Sequence, residues 1–157
     1  RAVLTRQLFG HLDVIRRAAE LFDEVIVGVL MNSEKSPLFS VEERVKMLEE
    51  VTKDLTNVKI VPFDGLLVDF ASRMEADIVI RGLRAITDLS MNFRCHRQTI
   101  NWLPNVETMF LTTSIEYSYL SSTTVKEIAA FGGDVSQFVP EAVAGELEAK
   151  MKAKRRV

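Results

Sequence analysis

The stretch VIVGVLM, residues 25–31, decides the fold. It is apolar, mostly β-branched and almost without the polar alternation of a strand wetted on one side. It therefore reads as a strand buried on both faces. Such strands belong to parallel sheets covered above and below by helices. Three more short apolar runs lie downstream: VKIVPF (58–63), DIVIRG (77–82) and VETMFLT (106–112). RAVL (1–4) makes a short first strand.

Helical patterns fill the spaces between these runs. In GHLDVIRRAAELF (10–22), Leu12, Ile15, Ala18, Ala19 and Phe22 share one face, while Asp13, Arg16, Arg17 and Glu20 share the other. SVEERVKMLEEVTKDL (40–55) opens with a capping box, Ser40 with Glu43, and carries Val41, Val45, Leu48, Val51 and Leu55 on a stripe. LLVDFASRMEA (66–76) and residues 87–102 predict two more helices. SSTTVKEIAAFGG (121–133) begins at hydroxyl caps and stops at Gly132-Gly133, and PEAVAGELEAKMKAKRR (140–156) has Pro140 in its first turn. Strand and helix alternate from end to end. The expectation is one α/β domain over residues 1–157, with a doubly wound, Rossmann-like, five-stranded parallel sheet and helices on both faces.

Composition narrows the class. The chain has 157 residues, of which 47% are hydrophobic and 27% charged, as in an ordinary globular domain. A net charge of −2 and a pI near 5.8 give no footing for nucleic acid as a bulk partner. The basic tail KMKAKRRV reads as a solvated helix end, where cations are favourably placed. A lone cysteine, Cys95, excludes an internal disulfide and fits a reducing compartment. The longest apolar run is too short to span a bilayer, and no secretory signal pattern is visible. The expected location is the cytoplasm, with no membrane partner.

In open parallel sheets ligands bind beyond the C-terminal ends of the strands. That edge collects the polar clusters of this sequence. Gly10-His11 follows the first strand, Asn32–Lys35 the second, Asp64-Gly65 the third, Arg81–Arg84 the fourth and Ser114–Thr123 the fifth. Gly10 lets a ligand approach the start of a helix, whose unpaired N–H groups favour anions, and His11 adds a donor. In RGLRA (81–85), Arg81 and Arg84 can each grip phosphate oxygens with two hydrogen bonds, and Gly82 permits an unusual backbone after the strand. Lys35 offers a mobile point charge. YSYLSSTTVKE (117–127) brings four consecutive hydroxyl residues to a helix start, and Tyr117 and Tyr119 can flank a base or pack at a rim. Cys95 and His96 are adjacent on a predicted helix and point apart, so they do not make a metal site. A Walker-type phosphate loop and a G-x-G-x-x-G fingerprint are both missing. The common denominator is a phosphorylated ligand.

In their order and spacing, GHLDVIRRAAELFDEVIVGV, EKSPLFSVEERVKML, DGLLVDFA, IRGLRAITD and YSYLSSTTVKEIAAFGGDVSQFVP make the sequence resemble the phosphopantetheine adenylyltransferases. These are bacterial members of the nucleotidylyltransferase superfamily, and the likeness covers nearly the whole chain. It implies joining of ATP and 4′-phosphopantetheine into dephospho-coenzyme A and pyrophosphate, with Mg²⁺, in a homohexamer. Dephospho-coenzyme A and coenzyme A would bind as product or inhibitor. By this resemblance His11 contacts the ATP phosphates and stabilises the transition state. Lys35 and Arg81 hold the phosphate of the acceptor, and Leu67 lines its pantetheine arm. Gly10, His11, Gly82, Leu83, Arg84 and Asn92 fall to ATP, as do Tyr117, Ser118, Tyr119, Leu120, Ser121, Ser122 and Thr123.

Two departures stand out. The family's P-G-S-F-D-P-x-T-x-G-H segment is represented only by VLTRQLFGH, about four residues short against usual loop lengths. Leu8 stands where Thr or His is expected, which removes a donor. After RGLRAITD the chain reads LSMNFRCHRQTINW, and Asn92 replaces a glutamate expected to help hold ATP. An asparagine still accepts a hydrogen bond but carries no charge. These departures leave two rivals in view: a non-catalytic nucleotide- or coenzyme A-binding homologue, and a nucleotidylyltransferase with another phosphate acceptor.

Overall fold

The computed structural model describes residues 1–5, 12–31, 38–83, 105–113 and 122–155. Five strands appear: β1 (Ala2–Thr5), β2 (Val25–Leu30), β3 (Val58–Phe63), β4 (Ile78–Leu83) and β5 (Glu107–Thr112). The described helices are α1 (Leu12–Leu21), α2 (Val41–Val51), α3 (Leu67–Arg73), α4 (Ser122–Ala130) and α5 (Glu141–Arg155). The helix expected over 87–102 lies outside the described residues.

All four strand pairings are parallel, and the order across the sheet is β3-β2-β1-β4-β5. β1 is therefore central, with Ala2 opposite Val25 on one side and Ile78 on the other. The chain winds outward through β2 and β3, then returns across β1 to β4. The gap between β1 and β4 is the topological switch point.

Alternating side chains give the sheet two different faces. Ala2, Leu4, Val25, Val27 and Ile80 form one apolar cluster with Val14, Ile15 and Ala18 of α1, and Leu48 of α2 packs against it. Val3, Ile26 and Val79 form a second cluster with Phe63 and with Phe70 and Ala71 of α3. Each face is thus closed by helix, as a sheet of such strands requires. A third cluster contains no strand residue. There Met47 of α2 packs with Phe39, with Val125 and Ala129 of α4, and with Val143, Ala144 and Leu147 of α5. Helix α2 is a middle layer, apolar toward the sheet and toward the other helices.

Helix ends follow local chemistry. The Ser40 hydroxyl accepts from the Glu43 N–H at 3.2 Å, and the Glu43 carboxylate accepts from the Ser40 N–H at 2.7 Å, completing the capping box. The helix ends at Val51, short of the expected Leu55. The Thr52 hydroxyl donates to Leu48 O at 2.7 Å, and the chain turns so that Leu55 N–H reaches Thr52 O. Helix α3 likewise stops at Arg73, before the expected Ala76. Glu75 adopts φ of 50° there, and the N–H groups of Glu75 and Ala76 bond to Ser72 O and Ala71 O. Helix α4 closes in the same way. Gly132 has φ of 80°, and the N–H groups of Gly132 and Gly133 bond to Ala129 O and Ile128 O. Pro140 precedes α5 and presents its carbonyl to the N–H groups of Val143 and Ala144.

Candidate active site at the C-terminal edge of the sheet

The strands end close to one level. Leu30 is opposite Phe63 and Leu83 is opposite Thr112, while Thr5 lies opposite Gly28. Among the described residues β1 reaches Thr5, between β2 and β4. Most of the expected site residues lie in the stretches of chain that follow these ends. Gly10 and His11, Lys35, Arg84, Asn92, and Tyr117, Ser118, Tyr119, Leu120 and Ser121 all fall outside the described residues.

Arg81 and Gly82 lie in the fourth strand, within the expected run 77–82, and Leu83 extends it by one residue. The three do not follow the strand, as Arg81–Arg84 were also expected to, but are its last residues, paired with Phe110, Leu111 and Thr112 of β5. Flanked by β1 and β5, β4 has partners for its backbone up to Leu83, and this outweighs the polar character of RGL. Gly82 accordingly lies in a paired, buried strand and is not among the described residues with positive φ.

The strand sets the direction of Arg81. Val79, Arg81 and Leu83 share the α3 face, while Ile80 belongs to the α1 face. Arg81 is half-buried with its Nε atom enclosed, beside its cross-strand neighbour Phe110. Leu67 opens α3 and packs against the Phe63, Phe70 and Val79 cluster of that face. Thus Arg81 and Leu67, far apart in sequence, border one apolar surface below the edge. A permanent cation on the face that carries this apolar cluster can pair with an anionic group.

Helix α4 begins at Ser122, and Thr123 is exposed in its first turn. Beside the start of α1 lies a hollow of about 500 Å³, lined by Leu12, Asp13, Arg16 and the segment 136–140.

Two arginines at this edge escaped the sequence reading. Arg17, expected on the wet face of α1, donates from Nη1 to Thr112 O at 2.6 Å and lies 3.5 Å from Asp13. It ties α1 to the end of β5. Arg44 of α2 is 6% exposed and donates from Nη2 to Leu30 O at 2.9 Å, at the end of β2. Burial lowers its pKa from the ordinary arginine value. In both cases the partner is a backbone carbonyl, which no residue pattern announces. Buried Thr113 closes the last rung, its N–H bonding to Leu83 O at 2.9 Å.

Among the described residues no three His, Cys, Asp or Glu side chains come together as metal ligands. No helix of the described residues is long and apolar enough to cross a membrane.

Comparison with known proteins bears on what this edge does. Residues 9–128 match the family described as Cytidylyltransferase-like. The phosphopantetheine adenylyltransferase of Lachnoclostridium phytofermentans is 55% identical over 146 residues, covering 93% of this chain and 90% of that protein. The enzyme of the same name from Caldanaerobacter subterraneus subsp. tengcongensis is 51% identical, covering 92% and 90%. Among solved structures, a candidate nicotinate-nucleotide adenylyltransferase from Vibrio parahaemolyticus superimposes with a TM-score of 0.70 over 93% of this chain and 96% of its own. At 17% identity it supports the fold alone. Similarity this high over nine-tenths of both chains is decisive for kinship: the chain belongs to the phosphopantetheine adenylyltransferases, within the Cytidylyltransferase-like family.

Proposed function

We propose that this protein transfers the adenylyl group of ATP to 4′-phosphopantetheine, giving dephospho-coenzyme A and pyrophosphate. The observation that carries the reading is the 55% identity across nine-tenths of an enzyme of that name. The close relatives favour neither a non-catalytic binder nor a different phosphate acceptor.

The reaction asks little acid–base chemistry of the protein. The acceptor is a phosphate monoester, anionic at neutral pH. One of its oxygens forms a bond to the α-phosphorus of ATP as the bond from that phosphorus to the β-phosphate oxygen breaks, and the electron pair leaves with pyrophosphate. Catalysis then consists of aligning two anions and stabilising charge on the transferring group. Arg81 and Lys35 are assigned to the acceptor phosphate, and Leu67 to its pantetheine arm. His11 is assigned to the phosphates of ATP. Gly10, Gly82, Leu83, Arg84, Asn92 and residues 117–123 are assigned to the nucleotide. Support for Arg81 and Leu67 comes from their shared sheet face. Mg²⁺ belongs to this reading as a companion of ATP held mainly by phosphate and water oxygens, and no side chain here is assigned to it. A cytoplasmic homohexamer that also binds its product and coenzyme A completes the proposal.

Pyrophosphate release from ATP and Mg²⁺ is expected only when 4′-phosphopantetheine is present. Arg81→Ala is expected to lower kcat/KM for the acceptor by about a hundredfold or more, as loss of a charge-stabilising donor does. Release independent of the acceptor, or an unaffected Arg81→Ala enzyme, overturns the assignment. Sedimentation reads the oligomer.

A further inference from the structure

Apolar contacts are enough to seat helix α1 on the sheet. Val14, Ile15 and Ala18 are fully buried in a cluster with Leu4, Val27 and Ile80, and Leu111 of β5 packs against it. Arg17 takes no part in that core. Its side chain is 42% exposed, yet it is aimed at one backbone atom. Nη1 donates to Thr112 O at 2.6 Å, and the Asp13 carboxylate flanks the guanidinium at 3.5 Å. Donor and acceptor are 95 residues apart in the chain.

What this contact holds is a corner of the sheet. β5 is the outermost strand, so its end has a strand neighbour on one side only, β4. Thr112 is opposite Leu83, the last residue of β4. Leu83 O accepts from the Thr113 N–H at 2.9 Å and from the Thr113 hydroxyl at 3.4 Å. Arg17 is thus one strand pairing away from Leu83. Gly82, the residue before it, shares the α1 face with Ile80 by strand alternation. Both Gly82 and Leu83 are assigned above to the nucleotide.

Stability gives a weak reason for this arginine. An ion pair so exposed contributes little, and the buried face of α1 already fixes the helix. What the guanidinium adds is a set distance between α1 and the ends of β5 and β4. Helix α1 follows β1, and β1 and β4 border the switch point, where an open parallel sheet takes its ligand. Arg17 therefore braces the β4 side of that crevice against the helix that follows its β1 side.

We infer that Arg17 is a positioning residue for ATP, holding the ends of β4 and β5 where Gly82 and Leu83 meet the nucleotide. The inference rests on the functional reading above, which gives those two residues to ATP. Arg17 acts through Thr112 and its pairing with Leu83. The acceptor should be spared, because Arg81 lies deeper in β4, opposite Phe110, and on the α3 face.

The test uses the full chain. Arg17→Met keeps an unbranched stem and removes the donors, whereas Arg17→Lys keeps a cationic donor. Calorimetric titration with ATP and Mg²⁺, without the acceptor, reads nucleotide binding directly. Arg17→Met is expected to weaken that binding about tenfold, the scale of a small misplacement, and to raise the KM for ATP to match. The KM for 4′-phosphopantetheine should stay within about twofold, as for a group that serves one substrate only. Arg17→Lys should restore most of the loss. A merely structural role would lower the melting temperature with ATP binding and both KM values unchanged, and that result overturns the inference. An equal rise in both KM values overturns it too. Backbone hydrogen exchange without ligand gives a second readout. Peptides spanning 105–113 should exchange faster in Arg17→Met than in the wild type, and equal exchange also counts against the brace. A wild-type protein that binds no ATP overturns the functional reading and the inference with it. Equal ATP binding by wild type and Arg17→Met overturns the inference alone.

Discussion

At the scale of the residue, Glu75 sits where glycine would be at ease. Its φ of 50° is left-handed, and the two hydrogen bonds that close α3 require that conformation. The helix stop at 73 was hidden in the sequence because a glutamate there reads as more helix. Gly132, by contrast, advertised the same closure of α4. Glu75→Gly is expected to stabilise the protein by about 1 kcal/mol, the usual left-handed penalty of a side chain. Loss of its 3.4 Å ion pair with exposed Arg1 should offset little of this. Urea denaturation with an unchanged slope would register the gain. Arg17 and Arg44 carry a related lesson. A sequence tells that an arginine is charged, but not that a strand's last carbonyl will lie within its reach.

At the scale of the element, α3 and β2 fit through one glycine. Phe63 and Phe70 stack with centroids 4.2 Å apart, and a Cβ on Gly28 would fall 2.7 Å from Phe70 and 2.9 Å from Phe63. Gly28 therefore makes room for the aromatic pair that seats α3 against the sheet. Gly28→Ala is expected to cost about 1–3 kcal/mol, the range for overpacking a close-packed core, and would appear as a lowered denaturation midpoint. Strands were legible because they are short apolar runs in a chain otherwise patterned for helix. The capping box of α2 was legible because both of its partners lie within one turn. Arg81 was already inside the run 77–82, whereas the extension of β4 to Leu83 was not legible, since its pairing to Thr112 of β5 is made across the sheet.

At the scale of the whole molecule, ion pairs connect elements far apart in the chain, and they have a sign in pH. Glu43 is held below the ordinary carboxylate value of 4.5 by the Lys150 ammonium first and the Ser40 N–H second. Glu24 is lowered chiefly by Lys59, whose ammonium lies 2.6 Å away. A carboxyl group with a depressed pKa when folded contributes fully above its unfolded value and loses that contribution as pH falls through the folded one. The melting temperature should therefore be flat from neutrality to about pH 5 and fall below it. Glu43→Gln should show a shallower fall, which melting curves across that range would detect. That the strands run parallel, with their C-terminal ends along one edge, was legible from the alternation of strand and helix. The order of strands along that edge was not, because it depends on which run meets which across the fold.

That order has a consequence for how the chain is made. β1 is the keystone between two strand pairs, yet it is the earliest of the described strands in sequence, and its two partners come at very different times. Val25 follows early, whereas Ile78 appears only after β2, β3 and three helices have been synthesised. During synthesis one edge of β1 stands open until β4 has been made, an unpaired ribbon awaiting a distant mate. Such long-range closure slows folding and favours company for the nascent chain.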